Sequence, residues 1–253
     1  MRRDDLCRWF DEKLKPGDFA GDVSNNGLQV EGKAEVRKAV FAVDASLRLF
    51  ELATERNADL VFVHHGLSWG AEPRRLTGVA AGRYRELFRH DISLYASHLP
   101  LDAAPGFGNN AVLSRMIGLE NPEPFFNYHG VDIGFIGDLP GAKTAAELKK
   151  IYDEALGGDA TLLGDAAKPR NRIAVVSGGG GLESLEETIN RGADLLVTGE
   201  LGHVMYHYAL ESRVAVLALG HYLSETTGPR ALMELAEKKL ELETEFIDLP
   251  TGL

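Results

Sequence analysis

The sequence predicts an α/β fold with a mainly parallel sheet and helices packed outside it. Three observations carry this. Short apolar, β-branched runs alternate with helix-periodic stretches. Strand–helix order recurs in the two ends of the chain, at an offset of 135 residues for the first two strands and with a 12-residue length difference before the third. Residues able to do chemistry collect where strand runs end, which is where ligands bind in open α/β sheets.

The elements follow in order. Leu6, Phe10 and Leu14 recur at helical spacing, and Pro16-Gly17 stops that run. Strands are expected at Lys38–Asp44, Leu60–Val63, Ile92–Ser97, Ile133–Ile136, Arg172–Ser177, Leu195–Thr198 and Val214–Leu219. Helices are expected at Ser46–Arg56, Arg83–Phe88, Asn110–Ile117, Ala145–Ala155, Leu182–Ile189, Val204–Leu210 and Pro229–Leu240. Strands alternating with helices imply right-handed βαβ units. Arg37-x-Ala39-Val40 matches Arg172-x-Ala174-Val175, and Ala58-Asp59-Leu60 matches Ala193-Asp194-Leu195. We therefore expect one internally duplicated unit over 1–253, with related halves at about 1–118 and 171–253 and a short connecting α/β excursion over 119–170.

Composition narrows the function. The chain has 253 residues, a net charge of −11, eight His and a single Cys. Its 44% hydrophobic and 26% charged content fits a globular protein and not a disordered one. Cys7 alone excludes an intramolecular disulfide framework and any Cys-rich zinc module. The acid surplus argues against nucleic acid as a partner. No apolar h-region follows the start, and no apolar run approaches the ~20 residues of a membrane span. A cytoplasmic address is expected.

Three strand ends hold the chemistry. His64-His65-Gly66 ends the first, with Gly66 letting the chain turn so that two adjacent rings can splay to neighbouring points. His98-Leu99-Pro100-Leu101-Asp102 closes the second, and Pro100 is expected to hold it as an extended turn. Gly220-His221 leads to Glu225 at the third. Four histidines and two carboxylates with no thiolate suit Zn²⁺, Fe²⁺, Mn²⁺ or Co²⁺. More donors are present than one tetrahedral ion needs, which favours two ions sharing a carboxylate.

Weaker candidates stand beside these. Ser177 and Gly178–Gly181 precede a helix; this is a phosphate cradle or a plain tight turn. Asn25 and Asn26 contact substrate or make a turn. Glu200 stands where the first half has its His pair and could line the same cleft; His203 and His207 form an i, i+4 pair that reads as surface or cavity lining. His90 and His129 have no argued role.

Asn25-Asn26-Gly27-Leu28-Gln29-Val30, Val63-His64-His65-Gly66, Ser97-His98-x-x-Leu101-Asp102, Leu196-x-Thr198-Gly199-Glu200 and Gly220-His221-Tyr222-x-Ser224-Glu225 together resemble the NIF-three-like family of dinuclear-metal hexameric proteins. Its bacterial members are commonly named GTP cyclohydrolase I type 2 homologs. The resemblance spans residues 18 to 250 and is most specific at the HHG and GHYxSE segments. It implies an intertwined, duplicated three-layer α/β/α fold and a toroidal homohexamer with metal pairs facing a cavity. It carries over His64, His65, Asp102, His221 and Glu225 as ligands of two divalent ions per chain. Many family members insert an extra domain mid-chain; the short Leu119–Lys168 segment marks this as the compact form.

On that reading His64 and Asp102 serve one ion, and His65 and His221 the other, or the pairing is exchanged. Glu225 bridges. His98 is a general acid or base, or it supports a ligand from outside. The activity implied is metal-dependent hydrolysis of a nucleotide or related small molecule, with GTP ring opening the specific version. The alternative is a non-catalytic metal-binding, trafficking or regulatory protein.

Overall fold

The computed structural model describes residues 1–70 and 75–253. In chain order the elements are α1 (Arg3–Leu14), β1 (Gly27–Val30), β2 (Lys38–Asp44), α2 (Leu47–Glu55), β3 (Leu60–His65), α3 (Gly78–Arg89), β4 (Ser93–Ala96), α4 (Leu99–Ala103) and α5 (Asn109–Met116). They continue with β5 (Glu120–Tyr128), β6 (Val131–Thr144), α6 (Ala145–Leu156), β7 (Thr161–Leu163), β8 (Pro169–Val176), α7 (Gly181–Asn190) and β9 (Leu195–Thr198). The last are α8 (Met205–Ser212), β10 (Ala215–Ala218), α9 (His221–Glu225), α10 (Thr227–Leu240) and β11 (Glu243–Phe246). They form two compact units, residues 1–104 with 228–249 and residues 105–227 with 250–253.

The first unit holds a five-stranded sheet in the order β1-β4-β3-β2-β11. Pairs β4-β3, β3-β2 and β2-β11 are parallel, and β1 closes the edge antiparallel. Strand alternation divides its faces. Val40, Ala42, Val61 and Val63 pack with Leu49, Phe50 and Ala53 of α2 and Leu87 of α3. Phe41, Phe62 and Tyr95 point the other way, onto Phe10 of α1. The Phe10 ring lies 5.1 Å from Phe62 and 4.9 Å from Tyr95, and each such pair adds about 0.5–1.5 kcal/mol beyond its area. This is the α/β/α layering expected, with the first predicted helix, strand β2 and the start of β3 in place, and β3 running two residues further, to His65.

The second unit holds a six-stranded sheet, β5-β6-β8-β9-β10-β7. Its centre, β8-β9-β10, is parallel, and both flanks are antiparallel. Leu113 and Ile117 of the α5 segment and Leu148 and Tyr152 of α6 cover Ile173, Val175, Leu195, Val197 and Leu217. Helices α7 and α8 contact β9 and β10.

Residues 119–168 differ from expectation. Only Ile133–Ile136 reads as a strand in the sequence, whereas β5 and β6 form a long antiparallel hairpin. Its two-residue turn is His129-Gly130, both at positive φ (51° and 92°), as hairpin turns of this kind require. Strand β5 carries Pro122 and Pro124 and is mostly exposed. Proline is tolerated there because β5 is an edge strand, so the residues that hide this strand in the sequence are those that fit its position.

Candidate metal centre

In the first unit the parallel register brings donors to one sheet edge. Asp44 ends β2 directly opposite His65 at the end of β3. His64 is fully buried, and His65 is partly exposed. Successive strand residues face opposite sides, but at the strand end their rings converge, with centroids 4.5 Å apart. Gly66 turns the chain away against the Gln29 side chain and Ala96, leaving no room for a Cβ. Gln29 Oε1 in turn accepts hydrogen bonds from the amides of Leu67 (2.7 Å) and Ser68 (3.1 Å). His64, His65 and His98 each offer a ring nitrogen, and these atoms lie within 4.8 Å of one another. Asp102 Oδ2 is 3.5 Å from His64 Nε2.

The stretch from His98 to Asp102 corrects the expectation of an extended turn. Leu99–Ala103 is a short helix, α4, with Pro100 in its first turn. There a proline costs nothing, because the N–H it lacks would have no intrahelical partner. The Asp102 amide donates to the His98 carbonyl (3.3 Å), so His98 and Asp102 stand one helical turn apart. Asp22, outside any motif of the sequence, anchors this turn. Its carboxylate accepts from His98 Nδ1 (2.9 Å), the Leu99 amide (3.1 Å) and Asn26 Nδ2 (2.8 Å). Burial pushes its pKa up, but the bond from His98 and those from Asn26 and the Ser24 amide outweigh burial and hold the carboxyl below its usual range. Asn26 also accepts the His98 amide (2.8 Å), and Asn25 bonds Ser68 Oγ (2.6 Å). The two asparagines thus brace the loops around the histidines. Trp69 stands over His98, ring centroids 5.1 Å apart.

In the second unit the third strand end is also a short helix. His221 and Glu225 sit one turn apart on α9, with His221 Nε2 3.2 Å from Glu225 Oε1. His221 Nδ1 bonds Glu200 Oε1 at 2.6 Å, so Glu200, placed beyond β9, holds the imidazole. The Glu225 bond chiefly raises the His221 pKa; burial opposes it, Glu200 adds to it, and the balance lies at about 9. His203 falls before α8 rather than on it, and both His203 and His207 are exposed, so they do not form the helical pair expected.

All four strand-end histidines are oriented in one way. Nδ1 is engaged by oxygen in each: Ser97 O for His64 (2.9 Å), Asp44 for His65 (2.7 Å), Asp22 for His98 and Glu200 for His221. A carbonyl or ionised carboxylate only accepts, so Nδ1 carries the proton and Nε2 of the neutral ring carries the lone pair. This is the arrangement that presets imidazole as a metal ligand. The donor set of imidazole and carboxylate fits a borderline divalent ion. Asp22 and Asp44 were not singled out in the sequence. Asp44 had a signal, an acid at the end of a strand parallel to the HHG strand; Asp22 had none.

Comparison with known proteins identifies the family of the chain. The model of the family described as Duf34/NIF3 (NGG1p interacting factor 3) matches residues 1–251. A relative from Pyrococcus horikoshii, named GTP cyclohydrolase 1 type 2 homolog, is 46% identical over the whole of both chains. A relative of the same name from Deinococcus radiodurans is 38% identical, over 99% of this chain and 94% of its own. Among solved structures, TTHA1606 from Thermus thermophilus superposes with a TM-score of 0.91 at 38% identity over all of both chains. Reduced HcgD from Methanocaldococcus jannaschii gives 0.86 at 28% identity over 98% of each. With the family model matched from end to end, the chain belongs to the Duf34/NIF3 family.

Proposed function

We propose that this protein binds two divalent metal ions and uses them to hydrolyse a nucleotide or related small molecule. The observation that carries the proposal is the shared orientation of the four imidazoles, each held at Nδ1 by oxygen and presenting Nε2. His64, His65, Asp102, His221 and Glu225 are the ligands on this reading, and Glu225 is the bridging carboxylate. Bound divalent ions would supply Lewis-acid polarisation and acidify water at the site. His98 then gives or takes a proton at Nε2, because Asp22 fixes its other nitrogen. The name shared by the curated relatives supports a nucleotide as the substrate class.

The same reading includes a homohexamer, supported by the family resemblance, and a cytoplasmic address, supported by the lone buried thiol of Cys7. Among the described residues no helix is long and apolar enough to cross a membrane.

Metal-replete protein screened against nucleoside triphosphates and phosphodiesters tests the activity. Turnover that disappears in His64→Ala together with the bound metal is the expected result. Metal binding with no turnover on any substrate would leave a binding or regulatory protein instead. Glu225→Gln should hold fewer than two ions per chain; two tightly held ions would remove Glu225 from the bridge. Light scattering that finds a stable monomer would overturn the hexamer.

A further inference from the structure

The turn Gly178–Gly181 between β8 and α7 is absorbed by neither the fold nor the proposed chemistry. It lacks the side-chain cap that Ser46 gives α2. Its first residue lies against the α9 pair. Gly178 has φ +62°, and a Cβ there would fall inside contact distance of Glu225 Oε1 and 3.4 Å from His221 Nε2. A Cβ at Gly179 would come 3.5 Å from Glu200 Oε2.

The backbone at Gly178 cannot retreat. Its amide donates to Ser224 Oγ (3.0 Å), and its carbonyl accepts from the Gly199 amide (2.9 Å), the Glu200 amide (3.1 Å) and Thr198 Oγ1 (3.2 Å). Ser177 before it is tied to Asn110 Oδ1 (2.6 Å). Any atom added at Gly178 is therefore met by movement of Glu225 or His221.

We infer that Gly178 is a positioning residue: the space left by its missing side chain is the seat of Glu225 Oε1 and His221 Nε2. The inference rests on the metal-binding reading above for its functional consequence, though not for the contact itself. A surface turn with four glycines would tolerate a methyl group; this one is a pinned wall behind two donors.

The test compares three variants. Gly178→Ala adds the Cβ and strains the backbone. Gly178→Asn adds the Cβ with a residue that accepts positive φ more readily. Gly157→Ala is strained alike, at φ +69°, but its Cβ meets nothing within 4 Å. Each is titrated with Co²⁺ while the visible absorption is recorded. Both Gly178 variants should bind at least about tenfold more weakly with an altered spectrum, and Gly157→Ala should stay within about twofold of the wild type. In parallel, urea unfolding of the metal-free protein measures Gly178→Ala alone and with Glu225→Ala. The shift in midpoint caused by Gly178→Ala should shrink once Glu225 is truncated. Gly178 variants that match Gly157→Ala in spectrum and affinity, with no coupling to Glu225, overturn the inference. A wild type that takes up no Co²⁺ fails the metal-binding reading instead, and the urea coupling still decides the contact.

Discussion

In the first unit the run β2-α2-β3-α3-β4-α4 ends on His98 and Asp102; in the second, β8-α7-β9-α8-β10-α9 ends on His221 and Glu225. The scaffolds correspond down to one aspartate. Asp59 accepts the Arg37 amide (2.9 Å), and its own amide donates to Lys38 O. Asp194 accepts the Asn171 amide (3.0 Å), and its amide donates to Arg172 O. The strand ends are finished differently. The first unit gathers three imidazoles, with Asp102 beside His64; the second sets one imidazole between Glu200 and Glu225. Where the first unit has Asp44 and a capping Ser46, the second has four glycines. A shared frame thus carries two different donor sets, three rings in one and a single ring between two carboxylates in the other.

The largest effect expected is from removing the central ring of the first set. His64→Ala should abolish measurable binding of the ion that His64 serves, a larger loss than trimming any outer partner. Metal analysis after dialysis checks this, and full retention of metal would break the proposed division of labour.

Next come the residues that hold the rings. Asp44→Asn and Glu200→Gln leave every proposed ligand in place but loosen His65 and His221. Each should weaken metal binding about 10–100-fold, read by competition with a chelating dye. If only one of them matters, the two sets are not built on the same principle.

The third difference is in pH. His221 has its pKa raised to about 9, chiefly by Glu225. A folded pKa above the unfolded value means that protonated His221 stabilises the fold fully below about 6.5, and that this contribution fades as pH rises through about 9. An ion bound through His221 must displace that proton, so its affinity should climb with pH and level off above about 9. Imidazole NMR of metal-free protein checks the titration, and Glu225→Gln should lower it.

The smallest effect tests the frame. Asp59→Asn and Asp194→Asn each weaken charge-assisted bonds to strand amides and should cost about 1–2 kcal/mol. Urea midpoints for the two should shift alike; a large shift in one alone would show that the correspondence is superficial.

Much of this was legible in the residues. The periodic runs located β2 and β9 to the residue, and the HHG and GHYxSE segments contain residues of the clusters that could hold a metal ion. The miss at β5 has a physical reason: edge strands accept prolines and acids that a reader takes for a loop. The miss at α4 has another, since Pro100 breaks a helix only beyond its first turn.

By itself the sequence determined the α/β alternation and the identities of the imidazoles and carboxylates, because both are written in local spacing and composition. Only the tertiary structure decided what each nitrogen does. The partners Asp22, Asp44 and Glu200 lie 76, 21 and 21 positions from their histidines. Their pairing is set by parallel strand register and by a loop folding back onto α4, neither of which a periodic pattern encodes. The same holds for Gly178, whose lack of a side chain means nothing until Glu225 is brought against it.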